Sequence, residues 1–234
     1  MRQYVLVGGG NIGRGDTSYE TKEIDQEIVH MTHKKNPNFL FVGLASSHSD
    51  SYYDTIKKIY QRLGCVTTYL KRKNLLYNPD LVLQKIQNAD IIYIGGGDTL
   101  KLLEDVNQFQ LASLFFVAAD RGCVLVGVSA GAILLAREGF SDSYILRNEG
   151  EHYQFISGLQ FVPISICPHF HHNLLKDQDL IKSLCEHNRE VYGLENCTAL
   201  KIVGDDISVL KCHSSQKVWL CSYEKTYQEM EFLS

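Results

Sequence analysis

Short apolar runs alternate with longer amphipathic stretches along this chain. The runs are Tyr4–Val7, Phe39–Leu44, Cys65–Leu70, Asp90–Ile94, Val124–Val128, Ile164–Cys167 and Ala199–Val203. They are rich in Val, Ile, Leu and Phe and do not alternate with polar residues, as strands covered on both faces require. Between them, apolar residues recur at helical spacing. Ile24, Ile28 and Met31 share one face of Ile24–His33, and Ile56, Ile59, Tyr60 and Leu63 share one face of Tyr52–Leu63. Leu81–Gln87, Thr99–Asn107, Ala130–Arg137 and Leu174–Asn188 read the same way. This β-α-β-α order predicts a mostly parallel, twisted sheet with helices on both faces. The end of the chain breaks the rhythm. Ile207–Leu210 and Lys217–Ser222 are short and β-like around His213-Ser214-Ser215-Gln216, which predicts a C-terminal antiparallel β-hairpin on the sheet edge. Trp219 in that segment is expected to pack rather than to contact a ligand.

The strands and helices use nearly all 234 residues, with no Pro- or Ser-rich linker and no internal repeat, so one α/β domain over residues 1–234 is expected. The formal net charge of -4 leaves no basic excess to hold a phosphate backbone, and nucleic acid is not an expected partner. No apolar run approaches the ~20 residues of a membrane span, so no membrane partner is expected either. The first residues enter a strand at once, leaving no room for a signal peptide. The seven cysteines are odd in number, scattered, and without a Cys-x-x-Cys pair. They read as reduced thiols, which points to the cytoplasm, and not as a disulfide framework or a zinc site.

Three clusters carry candidate chemistry. Gly8-Gly9-Gly10-Asn11-Ile12-Gly13 follows the first strand and matches the turn that presses backbone amides on a pyrophosphate. A dinucleotide site also wants a carboxylate at the end of the next strand, where Gly43-Leu44-Ala45-Ser46-Ser47-His48 has none. A tight strand-to-loop turn is therefore the stronger reading. Gly95-Gly96-Gly97-Asp98-Thr99 ends another strand and opens a helix. Its backbone can approach an anion or oxyanion closely, and Asp98 or Thr99 can cap the helix. Val124–Ala136 is strand, Gly-x-Ser-x-Gly, helix. In that arrangement a sharp turn exposes a hydroxyl and small flanking residues relieve the crowding. Ser129 is the candidate nucleophile, with the Ala130 amide free to donate to an oxyanion.

A serine nucleophile needs a base and a group to orient the base. His169, in Pro168-His169-Phe170-His171-His172, lies just past a strand end on the side where Ser129 should emerge. The His-x-His-His string also has metal-ligand chemistry, but no third ligand at recognisable spacing accompanies it, and no metal is expected. Glu195, in Tyr192-Gly193-Leu194-Glu195-Asn196, is the candidate orienter.

In their order, these motifs resemble the peptidase E (dipeptidase E) and cyanophycinase family of serine peptidases. The motifs are the Gly-rich turn, Gly-Gly-Gly-Asp-Thr, Gly-x-Ser-Ala-Gly-Ala, Pro-His-Phe, and Gly-Leu-Glu before Thr-Ala-Leu. The resemblance runs from Tyr4 to about Leu210. It implies a three-layer α/β/α sandwich with a mostly parallel sheet, similar to class I glutamine amidotransferases. It implies a serine-type hydrolase of dipeptides or small peptides with no cofactor, with an acidic residue next to the scissile bond as one option. Carried onto this chain, Ser129 is the nucleophile, His169 the general base and then acid, and Glu195 the acidic third member. The oxyanion hole combines the Ala130 amide with one from Gly96 or Gly97. The family often places its late acid about two residues before the Thr-Ala-Leu run. Asn196 stands at that spacing, and Glu195 one residue earlier. Asp98 and, in the loop after the nucleophile helix, Asp142, Arg147 and Glu149 are candidate substrate contacts. The alternatives are a non-catalytic homologue, or an esterase or isopeptidase on the same nucleophile elbow.

Overall fold

In the computed structural model, which describes residues 1–187, 189–222 and 228–229, the seven apolar runs all become strands, but of two sheets rather than one. The chain opens with β1 (Gln3–Val7), α1 (Lys22–His30), β2 (Asn38–Val42), α2 (Ser49–Arg62) and β3 (Val66–Leu70). It continues with α3 (Arg72–Tyr77), α4 (Pro79–Asn88), β4 (Ile91–Ile94), α5 (Thr99–Gln108), α6 (Leu111–Asp120) and β5 (Val124–Val128). Next come α7 (Ala130–Leu135), β6 (Ala136–Ser141), α8 (Ser143–Leu146), β7 (Gln154–Ser157), β8 (Val162–Pro168) and α9 (Leu174–His187). The last are β9 (Val191–Leu194), β10 (Thr198–Val203), β11 (Asp206–Lys211), β12 (Val218–Cys221) and β13 (Gln228–Glu229). Asn188, expected at the end of α9, lies outside the described residues.

The main sheet has the order β11-β10-β1-β5-β4-β2-β3. Its five strands from β1 to β3 are parallel, and β10–β11 is an antiparallel edge pair. Successive side chains of a strand leave on opposite faces, so each strand feeds two cores. Leu6, Leu40 and Ile92 pack with residues of α4 to α7, whereas Val5, Phe39 and Ile91 pack with α1 and α2. That is the expected three-layer α/β/α arrangement, and it explains why these strands show no polar alternation.

The second sheet, in the order β13-β12-β9-β8-β6-β7, was not anticipated. Ile164–Cys167, expected in the single sheet, lies in β8 at its centre. The helix expected over Ala130–Arg137 stops at Leu135, and the chain turns directly into β6. All six residues of α7 are buried, because the helix is wedged between β1 and β5 on one side and β6, β7 and β8 on the other. A helix apolar all round is a buried helix.

The terminal hairpin is also differently built. Ile207–Leu210 does lie in an edge hairpin, but its partner is β10. Lys217–Ser222 instead supplies β12, which crosses to the second sheet and pairs with β9 and β13. The physical reason is the ladder with β9, which buries Val218 and Cys221, and a carboxylate adds to it. Glu195 accepts from the Lys217 amide at 3.0 Å and from Trp219 Nε1 at 2.8 Å, which ties β12 beside β9. Trp219 packs as expected, its ring against His171 and Phe170. The seven cysteines are unpaired. Among the described residues no helix is long and apolar enough to cross a membrane.

Candidate active site

Ser129 sits at the junction of β5 and α7 with φ 53° and ψ -110°. A non-glycine residue there carries a strain of about 1–3 kcal/mol, held in place by its surroundings. The surroundings are close. A Cβ on Gly127 would run into the carbonyl of Gly131, and one on Gly131 into the carbonyl of Ile94. The small residues two before and two after Ser129 therefore let strand, turn and helix cross without separation. The result is a half-buried hydroxyl at the carboxyl end of β5.

His169 follows β8, its backbone amide bonded to the Gly8 carbonyl at 3.0 Å. Its Nε2 lies 2.9 Å from Ser129 Oγ, and its Nδ1 lies 2.6 Å from Asn196 Oδ1. The Asn196 oxygen can only accept, so Nδ1 carries the proton and Nε2 presents its lone pair to the serine hydroxyl. The His169 pKa is lowered from its ordinary value, first by burial and next by the positive charge of Lys176, against the Asn196 bond that raises it. A neutral imidazole facing a hydroxyl is a competent general base. The Gly8–Gly10 turn makes the seat of this pair. At Gly9, with φ 144°, a Cβ would strike both the His169 ring and Asn196 Oδ1. The first glycine cluster is thus a turn that admits side chains, in keeping with the stronger of its two sequence readings.

The structure does not bring the Glu195 side chain to His169. Its two carboxylate oxygens hold Trp219 and Lys217, on the far side of the β9–β10 connection. Asn196, the next residue, turns the opposite way and reaches the imidazole. The clue in the sequence was spacing: Asn196 stands where the family's late acid usually falls. An amide oxygen in this position has precedent in the Cys-His-Asn arrangement of papain-like proteases.

A cavity of about 540 Å³ opens in front of Ser129 and His169. Gly97 lines it, and the Ala130 amide lies at the start of α7 beside it. Gly96 is not among the residues lining the cavity, whereas Gly97 is. Asp98 lines the cavity, where it is ion-paired with Arg147. Asp98 caps α5 through the amides of Leu100 and Lys101, and its other oxygen accepts from Arg147 Nε at 2.7 Å. Arg147 also pairs with Glu104, and it does not line the cavity. Asp142 does line it, together with Lys101 and Lys176, which sequence reasoning did not single out. In the histidine string, His171 pairs with Asp177 at 2.9 Å. Among the described residues no group of three or more His, Cys, Asp or Glu is placed to hold a metal ion.

A strand–turn–helix that presents a serine to a histidine on a mostly parallel α/β sheet places the protein among the α/β serine hydrolases. The comparisons with known proteins narrow that class. The chain belongs to peptidase family S51, whose family model matches residues 4–210, and it is a serine peptidase. It is 28% identical over 219 residues to the uncharacterized peptidase YgaJ of Bacillus subtilis, covering 88% of this chain and 86% of that one. It is 22% identical over 236 residues to the peptidase E of a Nostoc species, covering 97% and 92%. Among solved structures, a peptidase from an acI-B1 Actinobacterium superposes with a TM-score of 0.74 at 21% identity, over 98% of this chain and 94% of that one.

Proposed function

We propose that this single-domain protein hydrolyses dipeptides or small peptides through Ser129, His169 and Asn196. His169 Nε2 takes the hydroxyl proton as Ser129 Oγ attacks the peptide carbonyl carbon. The carbonyl electron pair moves onto oxygen, where the Gly97 and Ala130 amides receive it. Collapse of this intermediate breaks the C–N bond, and His169 returns its proton to the leaving amine. Water then attacks the acyl-enzyme with His169 again as base, releasing the acid and restoring Ser129. The observation that carries the reading is the chain Oγ···Nε2 at 2.9 Å and Nδ1···Oδ1 at 2.6 Å, which fixes the one tautomer able to accept the serine proton.

The cavity supports a small peptide, with room for few residues. Lys101 lines it with no carboxylate partner among the described residues, which supports an acidic side chain on the acyl side of the scissile bond. Asp142, on the same wall, is a second candidate substrate contact. Reduced cysteines support a cytoplasmic site of action. One observation favours a second reading: among the described residues no carboxylate is hydrogen-bonded to His169, which fits a homologue that binds peptides without cleaving them. A small fluorophosphonate probe separates the two. Covalent labelling of Ser129, lost in Ser129→Ala, together with turnover across a dipeptide library, supports the peptidase. A folded protein that labels with no probe overturns it, and turnover of simple esters without peptides points to an esterase on the same elbow.

A further inference from the structure

Lys176 is a cation where local physics disfavours one. It lies in the first turn of α9, among amides whose partial charge is already positive, and its own amide is capped by Asn173 Oδ1 at 2.8 Å. Its residue is only 4% exposed. Three half-buried cations of this protein are ion-paired: Arg147 with Asp98, Arg189 with Glu138, Lys201 with Glu27. Lys176 has no carboxylate within ion-pair distance among the described residues. Its Nζ donates to the Pro168 carbonyl at 2.6 Å and stands 5.1 Å from the centre of the Tyr153 ring. Three donors thus share one carbonyl acceptor and an aromatic face. A buried ammonium so poorly matched costs stability unless something else answers its charge. The side chain lines the cavity that holds Ser129 and His169.

We propose that Lys176 receives the α-carboxylate of the amino acid that leaves, so that the enzyme selects peptides whose scissile bond is the last in the chain. This rests on the peptidase reading above and adds the identity of the leaving side. The argument is positional. Pro168 immediately precedes His169, so the ammonium sits on the histidine side of the serine. His169 must hand its proton to the leaving amine, which places the leaving residue on that same side. In a carboxy-terminal residue the carboxylate carbon is two covalent bonds from the amine nitrogen. In a longer peptide a neutral amide stands there instead, and Lys176 is left buried without an anion. Lys101, on α5 four residues past Gly97, is then the cavity cation left for the acyl side.

The test compares a good dipeptide substrate with its carboxy-terminal amide, on the whole chain. Wild-type enzyme is expected to prefer the free acid by about 100-fold in kcat/KM, chiefly through KM, as a site left with an unpaired buried polar group rejects the neutral analogue. Lys176→Met is expected to bring that preference below about 5-fold, and Lys176→Arg to retain a clear preference. Equal losses on both substrates would overturn the proposal and leave Lys176 as a clamp on the Pro168 carbonyl. So would a wild-type enzyme that does not distinguish acid from amide. A loss that appears only between Asp and Asn on the acyl side would assign the carboxylate to a side chain and overturn it too. Fluorophosphonate labelling of Ser129 in each variant keeps this result separate from the peptidase reading, since failure of that reading removes labelling in the wild type. Should Lys176→Met not fold, calorimetric binding of the dipeptide and its amide to Ser129→Ala gives the same comparison.

Discussion

The neighbouring residues Glu195 and Asn196 offer the sharpest test of the site, because one bonds the β12 segment and the other bonds His169. Asn196→Ala removes the acceptor that the described residues give the His169 Nδ1 proton, a bond of 2.6 Å in a half-buried ring. Leaving a buried donor without a partner costs about 1–3 kcal/mol, and here the cost falls on the one tautomer that can accept the serine proton. At 1.4 kcal/mol per factor of ten, kcat should fall by about 5- to 150-fold, with KM changed much less. Glu195→Gln does something else. It weakens two bonds that tie β12 to β9, at 2.8 and 3.0 Å, and should lower stability by about 1–2 kcal/mol with kcat within about twofold of wild type. The assay is steady-state hydrolysis of one dipeptide, with thermal unfolding measured in parallel. Asn196→Asp completes the set. A carboxylate at that position favours the imidazolium, so activity should persist while the acid limb of the pH profile moves upward. A folded Glu195→Gln enzyme that loses activity a hundredfold, beside an Asn196→Ala enzyme that retains it, would refute the assignment and return the role to Glu195.

Three further outcomes follow from the same geometry. The lowered pKa of His169, set by burial first, Lys176 and His172, against Asn196 and Asp142, places the acid limb of kcat/KM below the ordinary histidine value of 6.5. Because the unfolded chain binds that proton more readily, the same histidine contributes stability above pH 6.5 that is lost as pH falls toward its folded pKa; an acid limb at or above 6.5 in a pH–rate series would contradict this. Gly9→Ala drives a methyl into the His169 ring and Asn196 at a φ of 144°, and should cost about a hundredfold in kcat through lost positioning, with the fold checked by circular dichroism. Asp98→Ala removes the cap of α5 and the partner of Arg147, and should cost about 0.5–2 kcal/mol in denaturant unfolding with KM nearly unchanged; a large rise in KM would restore Asp98 as a substrate contact.

The sequence by itself determined the strands, the strand–Ser129–helix turn and the histidine that faces it. Buried parallel strands must be continuously apolar, and a strand–serine–helix turn needs small residues on both sides of the serine, so Val5, Phe39, Gly127 and Gly131 announce themselves locally. It also placed His169, since a residue following a strand end has few places to go. The tertiary structure decided what depends on contacts across the chain. Ala130–Arg137 shows an apolar run that periodicity cannot divide, and only the presence of β8 pulls Ala136 onward into a strand. Lys217–Ser222 could have paired with β11, and the ladder with β9 together with the Glu195 side chain holds it in the second sheet instead. That same commitment removes Glu195 from His169 and leaves Asn196 in its place. Which of two adjacent side chains faces the histidine is settled at the β9–β10 connection, and in the sequence only the spacing of Asn196 before Thr198 hinted at it. Lys176 was silent for the same reason: a lysine near a helix start reads as solvated surface until the fold closes over it.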